Sequence, residues 1–167
     1  MRPTYQRLAV LATGVFLVTG CGDKGLDKPL PATNTRIEVK VPWPDGGRIP
    51  RKYTCDGANQ RPAVSGGGIG TPESKDVAIV MTDPDAPGGT FVHWTSWDGA
   101  EGKNSFGKTG YDGPCPPKGG DPHKYVVTVY ELSRRLGLPS GAEPEKVLET
   151  IQKLAVASGS ATGTYGR

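Results

Sequence analysis

Val77-Ala78-Ile79-Val80-Met81-Thr82-Asp83-Pro84-Asp85-Ala86-Pro87 carries five apolar residues straight into two carboxylates set among prolines. The apolar run is short and contains β-branched residues, which reads as a strand buried on both faces. Asp83-Pro84-Asp85 then makes a rigid turn at the mouth of that strand. Proline holds φ near one value, and Gly88-Gly89 beyond it let backbone approach closely. Two carboxylates two residues apart at a strand end are candidate site residues, although Asp-Pro is also a common way to open an ordinary turn.

Working outward, Phe91–Trp97 and Tyr125–Leu132 are the next strand candidates, and Ile37-Glu38-Val39-Lys40-Val41 alternates as a half-exposed strand does. Helical spacing is confined to Glu145–Ala157, where Val147, Leu148, Ile151, Leu154 and Ala155 form one stripe and Pro144 suits the first turn. Several strands joined by turn-rich connections, with one late helix, give a mainly β, sandwich-like fold. The chain holds 25 glycines and 16 prolines in 167 residues, a content at which disorder competes, but the apolar strands that interrupt them supply a core.

The N-terminus points to export. Arg2 and Arg7 precede an apolar run from Leu8 to Val18, which is shorter than the roughly 20 residues a membrane-spanning helix needs. Val18-Thr19-Gly20-Cys21 resembles a bacterial lipobox, so residues 1–20 are expected to be a lipoprotein signal peptide and Cys21 the lipidated residue. Residues 21–35 read as a polar, lipid-anchored tether and 36–167 as the folded domain, placed in the cell envelope outside the cytoplasm. The net charge is +3, and without Arg2 and Arg7 it falls to +1, which leaves no basic face for nucleic acid.

Beyond Cys21, two cysteines remain, Cys55 and Cys115. In an oxidising compartment they form either a disulfide or two separate buried thiols. The chain has two histidines, and both fall at strand candidates. Alternation puts His93 on the face opposite Val92 and Trp94, and puts His123 on the face of Tyr125 and Val127. Gly107–His123 is a long loop rich in glycine and proline, a kind of segment that in a compact domain is commonly functional.

Taken together, Tyr53-Thr54-Cys55-Asp56-Gly57, Asp83-Pro84-Asp85-Ala86-Pro87, Phe91-Val92-His93-Trp94, Gly113-Pro114-Cys115-Pro116-Pro117 and Pro122-His123-Lys124-Tyr125 resemble the phosphatidylethanolamine-binding protein family in its bacterial Raf-kinase-inhibitor-like branch. Each motif alone is weak, but the five occur in the family's order from about Arg48 to Arg167. The resemblance implies a large antiparallel sheet packed against a smaller one, with a C-terminal helix and a shallow pocket at one end. Carried over motif by motif, Asp83, Asp85, His93, His123 and Tyr125 would form the pocket, with Asp56, Gly113 and Pro114 on its rim. Two departures stand out. Pro62-Ala63-Val64-Ser65-Gly66-Gly67-Gly68 lacks the family's aromatic wall, and the stretch from Trp97 to Asn104 is short.

The function expected from these residues is non-catalytic binding of phosphate, phosphorylated small molecules or other anions, including phospholipid head groups, with an aspartate orienting a histidine toward the ligand. An alternative is inhibition of a protein partner such as an extracytoplasmic protease. A third is a metal-dependent phosphoesterase. The spacings match no metal signature, however, and no Gly-x-Ser-x-Gly elbow is present, so neither cofactor nor catalysis is expected.

Overall fold

A computed structural model of the chain describes Leu26 and residues 28–67 and 74–167. The expected signal peptide (residues 1–20), Cys21 and residues 68–73 lie outside the described residues. The strands are β1 (Thr35–Arg36), β2 (Glu38–Lys40), β3 (Ser65–Gly67), β4 (Asp76–Asp83), β5 (Phe91–Trp97), β6 (Ala100–Glu101), β7 (His123–Leu132) and β8 (Ala155–Tyr165); the helix α1 spans Pro144–Leu154. A six-stranded sheet runs in the order β1-β8-β7-β4-β5-β6, and β2 and β3 form a separate two-stranded sheet. All pairings in the large sheet are antiparallel except β1 with β8, which is parallel.

The Val77–Met81 run lies inside β4, which is flanked by β5 and β7; Ala78, Val80 and Met81 are fully buried, whereas Val77 and Ile79 are only partly so. Even-numbered Ala78 and Val80 pack with Trp97, Tyr130 and Leu132 against the apolar stripe Val147, Leu148, Ile151 and Leu154 of α1. Odd-numbered Met81 packs on the other face with Trp43, Ile49, Tyr53, Trp94, Tyr125, Val127 and Tyr165. The two-residue period of the strand thus separates a helix-covered face from one covered by the preceding chain.

α1 begins with Pro144 in its first turn, where the missing N–H costs nothing. It stops at Leu154 rather than Ala157, because Ala155 turns extended and starts β8. Strand β8 is the longest among the described residues and has no sequence counterpart among the expected elements. Its residues facing the second core are small for a reason. A Cβ on Gly159 would overlap the Ile37 carbonyl oxygen, and one on Gly163 would lie 2.5 Å from Trp43 Nε1 and 2.6 Å from Ile49 Cγ1. Small side chains let residues 37–49 cross this face at contact distance, and the crossing chain supplies the bulk that β8 lacks.

Leu26 bridges Thr90, Leu26 and Leu30 pack against the α1 side of the core, and the Pro31 carbonyl accepts the Tyr130 hydroxyl at 3.1 Å. This stretch, expected as a tether, is laid against the domain in its described part.

Candidate functional site

The C-terminal end of β4 and the N-terminal ends of β5 and β7 meet at one edge of the large sheet, and with them Asp83, His93, His123 and Tyr125. Asp83 Oδ1 accepts the Asp85 N–H at 2.8 Å, and Asp85 Oδ2 accepts the Lys124 N–H at 2.7 Å, so the Asp-Pro-Asp turn ties itself to the start of β7. Asp83 Oδ2 meets His123 Nδ1 at 2.7 Å. A carboxylate oxygen only accepts, so Nδ1 carries the hydrogen and Nε2 is left for another partner. The Asp83 side chain is 5% exposed and that of His123 14%, which places the aspartate behind the histidine and the ring edge at the surface.

Tyr125 is 1% exposed, and its hydroxyl is buried beside the Asp83 carboxylate and the Cys115 backbone, with both of which it interacts. Burial, reinforced by the Asp83 charge, pushes the phenol well above its usual range, so it remains a neutral O–H donor. Its ring stacks 6.5 Å from that of His123 and lies edge-on 5.3 Å from that of His93.

His93 reaches this cluster through a backbone irregularity. Between Met81 and Thr82 of β4 the partner on β5 jumps from Trp94 to Val92, which makes His93 the extra residue of a β-bulge. Strict alternation puts His93 opposite Trp94. The bulge corrects this by turning the ring onto Trp94's face, where Tyr125 also packs. Its Nδ1 donates to the Asp112 carbonyl at 2.7 Å, and its own carbonyl accepts the Asp112 N–H at 3.1 Å. Burial holds the ring below the usual histidine value, so His93 is a neutral wall of the cluster.

The rim is pinned by covalent and polar ties. Cys55 and Cys115 form a disulfide with an S–S distance of 2.06 Å and a Cα separation of 5.4 Å. The bond closes a loop of 60 residues, which stabilises by about 4 kcal/mol in the chain-entropy account. The Cys55 N–H donates to the Pro114 carbonyl at 3.1 Å, and the Gly113 N–H to Asn59 Oδ1 at 2.8 Å. A Cβ on Gly113 would overlap the Tyr53 carbonyl oxygen, so only glycine fits. Asp56 accepts the Tyr165 hydroxyl at 2.8 Å and pairs with Arg167 Nη2 at 2.8 Å. It sits one strand along from His123, whose register partner on β8 is Tyr165.

The structure thus brings Asp83, His93, His123 and Tyr125 into one cluster, with Asp85, Gly113 and Pro114 buttressing it and Asp56 set to one side in its own ion pair. Asp112, Asn59 and Arg167 were missed by sequence reasoning. Asp112 lies within the loop singled out by its turn residues, whereas Asn59 is 53 residues from its partner and carries no local signal. The described residues also form a groove of about 680 Å³ between Leu26, Lys28, Pro29 and Pro31 on one side and α1 on the other, but it shares no residue with the histidine cluster. Asp83, His93 and Tyr125 are buried and His123 is partly exposed, and the convergence of these four groups, not a cavity, marks the cluster as the candidate site.

The profile of the family described as "Phosphatidylethanolamine-binding protein" matches residues 40–166. A UPF0098 protein of Pyrococcus horikoshii is 33% identical over 180 residues, covering 95% of this chain and 87% of that protein. A Mycobacterium tuberculosis protein named as a lipoprotein, LppC, is 31% identical over 201 residues, covering 99% of both chains. Among solved structures, that of a phosphatidylethanolamine-binding protein homologue from Chlamydia trachomatis superimposes with a TM-score of 0.73 at 26% identity, covering 80% of this chain and 99% of the other.

Proposed function

The chain belongs to the phosphatidylethanolamine-binding protein family, and from that premise we propose that it binds small phosphorylated or anionic ligands, without catalysis, at the edge formed by Asp83, His123 and Tyr125. The observation that carries the reading is the Asp83–His123 pair, a sealed carboxylate meeting Nδ1 of a partly exposed histidine at 2.7 Å, with the Tyr125 hydroxyl buried beside it. An oxyanion accepts hydrogen bonds, and the His123 ring, held at Nδ1 by Asp83, offers Nε2 to such a ligand. Asp85, His93, Gly113, Pro114 and Asp56 shape and hold the site in this reading.

The same proposal places the protein on a membrane by a lipid at Cys21, outside the cytoplasm. The lipoprotein name of the mycobacterial relative supports this. So does the Cys55–Cys115 disulfide, a bond that persists in oxidising compartments.

Calorimetric titration with inorganic phosphate and with phosphoethanolamine tests the site. The native protein should bind both, His123→Ala should weaken both by about tenfold or more, and Tyr125→Phe should weaken them and lower stability by about 1 kcal/mol, since the hydroxyl interacts with Asp83. Equal affinities in all three proteins would overturn the assignment.

A further inference from the structure

Leu26 and residues 28–36 are strapped to the domain along their length. The Leu26 N–H donates to the Thr90 carbonyl at 2.8 Å, and Leu26 and Leu30 pack on the core that α1 covers. The Pro31 carbonyl accepts the Tyr130 hydroxyl at 3.1 Å, and Thr33 Oγ1 shares a hydrogen bond with Ser158 Oγ at 2.7 Å. Tyr130 and Ser158 are register partners near the Ala155 end of β8, whereas Thr90 immediately precedes β5 at the other end of the sheet. The strap therefore crosses the helix-covered face from end to end. Leu26 lies at the end that bears Asp83, since Phe91, next after Thr90, is the cross-strand partner of Asp83.

Covalent geometry limits how far that end can stand from Cys21. Leu26 is five positions after Cys21, and at ~3.6 Å per residue that link spans at most about 18 Å in any conformation. The domain is longer than this along β7, where His123 and Leu132 are about 30 Å apart at ~3.3 Å per residue. A lipid on Cys21 thus keeps the Leu26 end beside the bilayer. That same end carries the one large hydrophobic side chain exposed among the described residues, Phe106, at 44%, edge-on 4.5 Å from Phe91. The buried Asn104 accepts the Phe106 N–H at 3.0 Å and the Lys108 N–H at 3.1 Å on one oxygen, which fixes the turn that holds the ring outward.

We propose that the end of the sheet formed by Thr90, Phe91 and the turn at residues 104–108 is the membrane-facing surface of the domain. The strap sets where the anchor leaves the fold, and Phe106 enters the bilayer interface. This rests on the lipid at Cys21 proposed above and is independent of what the His123 edge binds. An aromatic ring is accommodated at headgroup depth, and a contact too weak to hold a free protein becomes effective once a lipid confines the domain beside the surface. The docked strap and the exposed ring are separate features, and both mark the same end.

The test takes the chain as an expressing bacterium processes it, reconstituted in vesicles of phosphatidylethanolamine and phosphatidylglycerol, part of the lipid carrying a nitroxide quencher just below the headgroup. Tryptophan is placed at either end of the sheet, in Phe106→Trp and in Arg134→Trp, an exposed position just beyond the Leu132 end of β7. The emission each adds to that of the native protein is read with and without quencher. Phe106→Trp should lose most of its added emission, and Arg134→Trp should keep it. Equal quenching at the two positions in vesicle-bound protein, or stronger quenching of Arg134→Trp, overturns the orientation and leaves the lipid anchor standing. A native chain that does not stay with the vesicles, or that stays equally well as Cys21→Ser, overturns the anchor and the orientation together.

Discussion

Asp83 and His123, 40 residues apart in sequence, meet through Oδ2 and Nδ1 at 2.7 Å, with the aspartate sealed and the histidine edge exposed. Both oxygens of this carboxylate are committed, one to His123 and one to the Asp85 N–H that closes the turn. An asparagine has a single acceptor and cannot serve both donors.

Asp83→Asn should therefore either open the Asp83–Asp85 turn or release the His123 ring to its other tautomer. The expected cost in stability is about 1–3 kcal/mol, as for a buried polar group losing a charged partner. ¹⁵N NMR of the histidine ring reads the result directly. The native protein should show hydrogen on Nδ1 of His123, and the variant a mixture of tautomers. An unchanged spectrum with unchanged stability would mean that the pair does not set the ring.

Asp56 links folding to pH. The Tyr165 hydroxyl, followed by the Arg167 guanidinium, holds its carboxyl below the ordinary 3.8. In the interval below 3.8 the unfolded chain binds more protons at this residue than the folded one. The contribution of Asp56 to stability is therefore present in full above that value and lost as pH falls through the lower folded value. In urea unfolding, the stability gap between the native protein and Asp56→Asn should be wider at pH 7 than at pH 3. A gap that does not narrow in acid would show that the ion pair contributes nothing to folding.

Two strand glycines should respond in opposite ways to the same change. A Cβ on Gly159 overlaps the Ile37 carbonyl oxygen, whereas one on Gly66 has its nearest neighbours at 3.5 and 3.6 Å. Gly159→Ala should cost about 1–3 kcal/mol, the range for forcing extra volume into a packed core. Gly66→Ala should be neutral or stabilise by up to about 1 kcal/mol through the unfolded chain. Denaturant unfolding measures both, and equal effects would argue against the close crossing of residues 37–49 over β8.

Much of this architecture was legible in the residues. The apolar run at Val77–Met81, the strands Phe91–Trp97 and Tyr125–Leu132 and the stripe on α1 all declare themselves through local periodicity, because each buries its own large side chains. The Asp83, His93, His123 and Tyr125 motifs were visible as residues, and the two cysteines as a possible pair. Strand β8 was not legible. Ala155–Tyr165 has small residues where it faces the core, since the bulk comes from Trp43 and Ile49 more than a hundred positions earlier. A helix reading that ran on to Ala157 follows from the same cause, because nothing local marks the switch from α1 to a strand.

Sequence by itself determined which side chains each strand offers and at what spacing, since those follow from chain stereochemistry one residue at a time. Only the tertiary structure decided where the offered groups point. Pairing of β4 with β5 inserts the bulge that turns His93 toward Tyr125, and pairing of β4 with β7 carries His123 to Asp83. Contacts across 40 residues are chosen by the packing of the whole sheet, and no local pattern of residues encodes that choice.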